Sequence, residues 1–393
     1  VERKLKSAAS DKPAELAELT ESVESVKRLR STPATARWWQ PLPTAAAGHA
    51  DVLCELCPHA CTLADGAPGA CHVRRNVDGR LVSTTYGRAS GFRIGTVETA
   101  GLYHFHPGAA ALSLATTGCT LACAYCASGD APSAPVAGRA TEAVSPEGIA
   151  QAAQAYGARL VAFCDSDPAS CAEYAIDIAV ACRARGLKTL AMTAGYIMPP
   201  AARELFATLD AVRLGVKAFR ETTYAQLCGG RLQPVLDTLC QLRFETRCWL
   251  EIGYALVPGY NDSPSEIGEL AAWIVRELGA DVPLHLAPHT FKTRAGDAGR
   301  QALAQARQAA IDAGLQHVYT QQAKDSEGGT TFCAHCAAAL IERDAGSVIR
   351  GELGDDARCP YCRAPVAGYF ARLAEPPGAC RGVARWPVRC ARR

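Results

Sequence analysis

Six short apolar runs recur between residues 108 and 322, each followed by a longer stretch with helical period. They read "ALSLATTG", "RLVAFC", "KTLAMTAG", "AVRLGVK", "CWLEIGYALVPG" and "VPLHLAPH", rich in the branched residues that favour strands. The intervening helices are clearest after the fifth run. Ser263 is placed to cap, Pro264 suits the first turn and Glu266 completes a capping box, while Ile267, Leu270, Ala271, Ile274 and Val275 share one face. Strand then helix, repeated, is the pattern of parallel strands joined by right-handed crossovers. A partial barrel and a doubly wound sheet both satisfy it, and in both the ligands gather at the C-terminal ends of the strands.

With 393 residues, 49% of them hydrophobic, the chain can bury a large core and is expected to hold more than one domain. Its formal net charge of +2 creates no demand for nucleic acid or an anionic membrane. The charged opening "VERKLKSAASDKPAELAELTESVESVKRLR" has no apolar core of a signal peptide, and no segment reaches the roughly 18 apolar residues of a membrane span. A cytoplasmic protein is expected. In a reducing compartment its 19 cysteines point to metal rather than disulfides.

Eleven of those cysteines fall into three groups: Cys54, Cys57, Cys61 and Cys71; Cys119, Cys123 and Cys126; Cys333, Cys336, Cys359 and Cys362. The middle group, in "GCTLACAYC", sits just after the first apolar run. Three thiolates from one tight loop can cap three irons of a 4Fe-4S cube and leave the fourth iron without a protein ligand. A structural zinc would want a fourth cysteine or histidine close by, and none follows in the next dozen residues. Charge is sparse in this loop, which suits a cluster tuned by burial and by amide hydrogen bonds to its sulfurs.

Cys-x-x-x-Cys-x-x-Cys with Tyr125 before the third cysteine, after the first strand of a repeated β/α unit, resembles the signature of the radical S-adenosylmethionine (SAM) superfamily. The blocks "ARWWQPLP", "CELCPHACTLADGAPGACHVRRNVDGRLVSTTYGRASGF", "HFHPG", "EYAIDIAVACRARGLKT", "TAGYIMP", "LCGGRLQPVLDTL" and "PGYNDS" resemble the radical SAM component of the AmmeMemoRadiSam system, itself similar to pyruvate formate-lyase activating enzymes. The resemblance implies an α/β fold, a partial (β/α)6 radical SAM barrel flanked by an N-terminal four-cysteine module and a C-terminal zinc-ribbon-like module. It further implies that Cys119, Cys123 and Cys126 hold a 4Fe-4S cluster and that Tyr125 lies near the adenine of SAM. The rest of SAM is expected to meet Ser166, Asp167, Thr193, Gly195, Lys217, Val257, Pro258 and Gly259 at successive strand ends.

The sequence departs from that family in three places. Relatives carry Tyr-Asn-Glu/Asp-Pro where this chain has "DSDP", Asp-Leu-Lys where it has "GVK", and Gln-Asn-Trp where "ASG" follows Cys126. These changes cluster at the mouth of the barrel, and with the three cysteines kept they favour an altered substrate. Cys164 ends the second run and could face the site, although a buried neutral thiol is the commoner role for it and for Cys171.

Cys54 to Cys71, spaced by two, three and nine residues in a Gly-rich stretch, suit a tetrahedral structural metal. Zinc or a second iron-sulfur cluster both fit, with zinc preferred. "TTFCAHC" and "ARCPYC" are two Cys-x-x-Cys knuckles 22 residues apart, the spacing of a zinc ribbon, with potential strands between them. The domain reading is therefore a helical arm and linker at 1–50, the four-cysteine module at 51–95, the barrel at 96–322, the ribbon-like domain at 323–372 and a basic tail at 373–393.

Two functions follow. One is a radical SAM enzyme that cleaves SAM reductively and abstracts hydrogen from a protein, peptide or RNA. It would take an electron from a flavodoxin or ferredoxin and stand beside Memo-like and AMMECR-type partners. The alternative is a non-catalytic iron-sulfur and zinc partner protein that has lost SAM turnover. A DNA-binding zinc protein is weaker, because the net charge is close to neutral.

Overall fold

The computed structural model describes residues 34–43, 50–126, 143–289, 297–321, 326–344 and 346–373. The helix expected over 13–30 and the basic tail from residue 374 lie outside the described residues.

An eight-stranded sheet forms the body. Taking the first six strands of the chain for the N-terminal module, the sheet comprises β7 (Ser90–Thr96), β8 (Ala110–Ala115), β9 (Leu160–Phe163), β10 (Lys188–Thr193), β11 (Ala211–Val216), β12 (Trp249–Leu256), β13 (Leu284–Pro288) and β14 (Val318–Thr320), each beside the next. From β8 to β14 every pair is parallel, and β7 joins the edge antiparallel to β8. The six expected runs are β8 to β13. The sheet gains two strands that the sequence reading missed, and β7 begins inside the segment given to the four-cysteine module. Val318–Thr320 is too short to show a period, and Ser90–Thr96 is punctuated by two glycines.

The helices α1 (Pro146–Ala155), α2 (Ala172–Ala184), α3 (Pro199–Thr208), α4 (Glu221–Cys228), α5 (Gln233–Glu245), α6 (Pro264–Glu277) and α7 (Asp297–Asp312) fill the crossovers, two of them between β11 and β12. Leu112, Leu114, Val161, Phe163, Val212, Leu214 and Ile252 pack outward beneath them. Ala111, Ala162, Cys164, Leu190 and Ala211 point the other way and close over Val97, Leu102 and Phe105. In α6, Ser263 Oγ accepts from Glu266 N at 3.2 Å as expected. The capping box is only half made, however. The buried Glu266 carboxylate takes the amide of Phe219 at 2.6 Å and the hydroxyl of Tyr254 at 3.2 Å, tying α6 to the loop after β11.

At the N-terminal end of the strands a polar layer forms a floor. Glu251, fully buried, accepts from the amides of Tyr103 (3.0 Å) and His104 (2.8 Å), from Trp249 Nε1 (2.9 Å) and from His285 Nε2 (2.5 Å). Gln321 Nε2 lies 3.2 Å from His285 Nδ1, which fits the neutral ring protonated on Nε2. Burial alone would raise the Glu251 carboxyl, but these donors, His285 first among them, hold it down to about 2. The segment bearing "HFHPG" thus plugs the barrel from below.

The same plug receives the C-terminal module. His106 N donates to Tyr369 O at 2.6 Å, Tyr369 N to His104 O at 2.8 Å, and Arg343 Nη2 to Tyr103 O at 2.7 Å. That module is a three-stranded antiparallel sheet of β15 (Thr331–Phe332), β16 (Ala339–Asp344) and β17 (Ser347–Gly351), with both later strands between the knuckles as expected.

The N-terminal module docks elsewhere, against α2 and the strand tops. It holds two three-stranded sheets built from β1 (Ala34–Thr35), β2 (Trp39–Pro41), β3 (Val52–Cys54), β4 (Thr62–Leu63), β5 (Arg74–Val77) and β6 (Arg80–Ser83). β1 and β2 fall within the stretch read as linker; its Pro and Ala content concealed two short strands that pair with distant partners. The buried Arg74 guanidinium reaches Glu173 of α2 at 2.5 and 2.6 Å, and the Arg37 amide shares that carboxylate at 2.7 Å.

Two outcomes follow for the floor. Glu251→Ala leaves the donors around it without their acceptor and the buried Arg213 without its nearby countercharge, and should cost about 3 to 5 kcal/mol in denaturant titration. Burial also lowers the pKa of His104, His285 and His317, the last to about 4, so an unfolded chain takes up protons that the folded one refuses. Stability should therefore fall as pH drops from about 6.5 toward 4, and fall further as Glu251 protonates below that; a melting temperature that is flat across this range would contradict the assignment.

Candidate active site and metal centres

Cys119, Cys123 and Cys126 lie on the loop that leaves β8, at the C-terminal mouth of the sheet. Several contacts fix that loop. Ala122 N donates to Cys228 O at 2.9 Å and Ala124 N to Leu227 O at 2.8 Å, so the last turn of α4 serves as its backing. Gly229 ends α4 with φ of 65°, and a Cβ on Gly230 would lie 2.6 Å from Leu121 Cδ2, so the "GG" pair both turns the chain and admits the loop. Leu121 N points at Cys119 Sγ at 3.4 Å.

Asp167 is the second anchor. Its buried carboxylate accepts from Thr120 Oγ1 (3.2 Å), Thr193 Oγ1 (2.7 Å), Ala169 N (3.1 Å) and Ala194 N (3.4 Å), clasping the cysteine loop to the ends of β9 and β10. Ser166 Oγ meets Thr116 N at 2.8 Å and Thr116 Oγ1 at 2.9 Å. Gly195 has φ of 65°, and a Cβ there would lie 2.4 Å from Leu214 Cδ1, so its role in this structure is packing beneath the mouth. Val257, Pro258 and Gly259 form the turn after β12. Asn261 Oδ1 accepts from Val257 N at 2.6 Å while its Nδ2 donates to Lys217 O at 2.6 Å, which couples two strand ends; Gly259 N donates to Asp262 at 2.9 Å.

Lys217 sends its ammonium back over the strand: a Cβ on Gly215 would lie 2.9 Å from Lys217 Nζ. Its charge favours the thiolates of Cys119 and Cys123. A hydrogen bond from Cys228, followed in weight by burial against it and Lys217 in favour, brings Cys123 down to about 7, whereas burial pushes Cys119 up. Cys228 is pushed up, first by its bond to Cys123, and stays a neutral thiol. Tyr125 packs edge-on against His289 at 5.0 Å with its hydroxyl beside the Cys228 thiol, and the buried hydroxyl of Tyr224 has no hydrogen-bond partner.

Below the mouth the inner face is poor in side chains. Gly215 and Gly253 are register partners, as are Ala255 and Ala287, above the floor of Arg213, Glu251 and His285. Cys228, Tyr224, His289 and Asn261 were not picked out from the sequence as site residues; the "LCGG" and "PGYNDS" blocks carried the signal for two of them without saying what they touch. Cys164 lies on the inner face among Ala111, Ala162 and Leu190, and Cys171 is equally buried; burial lifts both thiols to about 12, the state of inert core cysteines.

Cys333, Cys336, Cys359 and Cys362 bring their sulfurs within 4.8 Å of one another, with Cys333 to Cys362 at 3.5 Å and Cys336 to Cys359 at 3.7 Å. A tetrahedral ion with metal–sulfur bonds of about 2.3 Å needs edges of about 3.8 Å, so this is a metal module.

The radical SAM superfamily profile matches residues 113–274, from the middle of β8 into α6. An uncharacterized protein of Methanocaldococcus jannaschii is 30% identical over 295 residues, covering 74% of this chain and 87% of its own. The chain belongs to the radical SAM superfamily. Among solved structures, a domain of a pyruvate-formate lyase-activating enzyme from Bacteroides vulgatus is 21% identical, covering 41% of this chain and 97% of its own with a TM-score of 0.35. A radical SAM methyltransferase from Sphaerobacter thermophilus is 17% identical, covering 60% and 71% of the two chains with a TM-score of 0.42.

Radical SAM domains imply a 4Fe-4S cluster and SAM, and this mouth fits both. It presents three thiols on one anchored loop, an ammonium beside them, an amide aimed at one sulfur, and the buried Tyr224 hydroxyl without a partner. Among the described residues no helix is long and apolar enough to cross a membrane. Replacing Asp167 by Asn should loosen the clasp by about 1 to 3 kcal/mol, because an amide cannot accept from four donors at once. The check is faster hydrogen exchange at residues 118–122 with the helices unchanged; uniform exchange across the chain would refute it.

Proposed function

We propose that this radical SAM protein is an enzyme that abstracts hydrogen from a macromolecular substrate, and that it acts as the radical SAM component of an AmmeMemoRadiSam system. The single observation behind the reading is that Cys119 and Cys123, on the loop leaving β8, lie near Lys217, whose ammonium folds over Gly215 in a side-chain-poor band continued by Gly253, Ala255 and Ala287. When bound, the 4Fe-4S cluster and SAM supply a 5'-deoxyadenosyl radical. The chain's own residues then orient and exclude: Lys217 suits the carboxylate of SAM, the Tyr125 hydroxyl and the turn at Val257–Gly259 suit the nucleoside, and the buried walls keep water away. The side-chain-poor band leaves room for one protruding group of a larger molecule, and Tyr260, 49% exposed, offers it a ring at the rim. The Lys217 ammonium over Gly215 stands where relatives carry a carboxylate, in keeping with an altered substrate.

Zinc is the proposed occupant of the C-terminal module, flavodoxin or ferredoxin the proposed electron donor, and Memo-like and AMMECR-type proteins the proposed partners. The cytoplasm is the proposed location.

Anaerobic reconstitution, reduction with dithionite and chromatography of the nucleosides tests the reading. Wild-type protein should release 5'-deoxyadenosine, Cys123→Ala none, and Lys217→Ala should raise the KM for SAM far more than it lowers kcat. A cluster-loaded wild type that neither binds nor cleaves SAM would replace the enzyme with the non-catalytic partner. For the ribbon, Cys359→Ser should lose about one zinc per chain and deprotect the β16–β17 hairpin in hydrogen exchange; unchanged zinc would rule that site out.

A further inference from the structure

The structure assigns Tyr224 and Cys228, one turn apart on α4, as side-chain hydrogen-bond donors to the sulfur of the cluster held by the Cys119 loop, where they raise its reduction potential. The assignment rests on that loop holding a cluster and not on the cleavage of SAM.

The destinations of the loop's amides carry the first part of the argument. Amides aimed at sulfur are the usual means by which a protein tunes a cluster. Here those around Cys123 are spent on anchoring: Ala122 N donates to Cys228 O at 2.9 Å, Ala124 N to Leu227 O at 2.8 Å, and Cys126 N to Cys123 O at 3.1 Å. Leu121 N, 3.4 Å from Cys119 Sγ, serves the first cysteine. Beyond its own amide, the Cys123 sulfur is left to side chains.

The same anchoring brings the end of α4 against Cys123, where the Cys228 thiol meets its sulfur. Which of the two donates follows from the chemistry of ligation. A cysteine bound to iron has lost its proton, so the hydrogen in that contact comes from Cys228. Cys228 is fully buried, and the Tyr125 hydroxyl lies beside its thiol. An O–H donated to the Cys228 sulfur polarises the S–H and makes it the stronger donor.

Tyr224 is a separate observation. Residues four apart share a helix face, so Tyr224 stands one turn before Cys228 and faces the same loop. It is fully buried, its hydroxyl has no hydrogen-bond partner, and the groups that act on it electrostatically are Cys228, Cys123, Tyr125 and Asp167. A buried hydroxyl is normally paired, and electron-rich sulfur at the loop supplies the acceptor that this one lacks. Reduction adds one electron to a cluster, and that charge spreads onto its sulfurs. A donor there therefore stabilises the reduced form more than the oxidised one. The end of α4 thus both positions the loop and sets how readily its cluster accepts an electron.

Potentiometric titration of the anaerobically reconstituted full chain, followed by EPR, tests the assignment; the signal of this cluster is the one absent from Cys123→Ala. Cys228→Ala and Tyr224→Phe should each keep the wild-type iron and sulfide content and shift the potential negative. The reduced fraction at a fixed potential should fall about threefold to tenfold, tenfold being about 59 mV for one electron. Cys228→Ser, which restores a donor, should recover most of the shift. Proton double resonance in H2O and D2O gives a readout that packing alone would not move: each of the first two variants should lose an exchangeable coupling present in the wild type. An unchanged potential in either variant would overturn the assignment, as would loss of iron from Cys228→Ala, which would make Cys228 a ligand. A wild type with no cluster at the loop would instead bring down the reading of the loop itself, and this assignment with it.

Discussion

The carboxylate of Asp167 sits where three parts of the chain must meet: the cysteine loop through Thr120, the start of the helical turn after β9 through Ala169, and the end of β10 through Thr193 and Ala194. A buried carboxylate with four donors is costly to disturb, because each donor would otherwise face an apolar interior. It makes the position of the loop a property of the sheet. Backed on its far side by Leu227 and Cys228, the loop holds its thiols in place before any cluster arrives, which is what a site must do if it is to leave one iron open to a substrate.

The two ends of the barrel divide the work. At the N-terminal end, Glu251, His285, Arg213 and the plug around His104 close the interior and fasten the C-terminal module, far from the cysteine loop. At the other end glycine and alanine leave space. Gly253 serves both, since a Cβ there would collide with Arg213 Nε at 2.6 Å; the same missing side chain that keeps the upper interior open lets the floor form. The N-terminal module meets the working end, through His59 and Val73, and the ribbon meets the resting end.

Periodicity and cysteine spacing made six of the strands and the ribbon hairpin legible, because hydrophobic alternation and paired knuckles are local patterns; the choice of a partial barrel over a doubly wound sheet came from the family resemblance. What escaped is non-local. β1, β2 and β14 are two or three residues long and exist only because distant partners accept them. Glu266 has the letter of a capping box, yet a tertiary donor, the Phe219 amide, outcompetes the local one. Cys228 reads as the last residue of an ordinary helix, and only the fold brings its thiol to Cys123. Ser166 and Gly195 add internal contacts that a strand-end position does not announce: the Ser166 hydroxyl meets Thr116, and the missing Cβ of Gly195 admits Leu214.

The central claim is that the Cys119, Cys123 and Cys126 loop leaves one iron open to SAM. Electron–nuclear double resonance on the reduced protein with SAM labelled by 17O in the carboxylate and 15N in the amino group tests it most directly. The account predicts hyperfine couplings from both labels to the cluster, lost in Cys119→Ala. A cluster signal without either coupling, or zinc held by those three thiols, would contradict it.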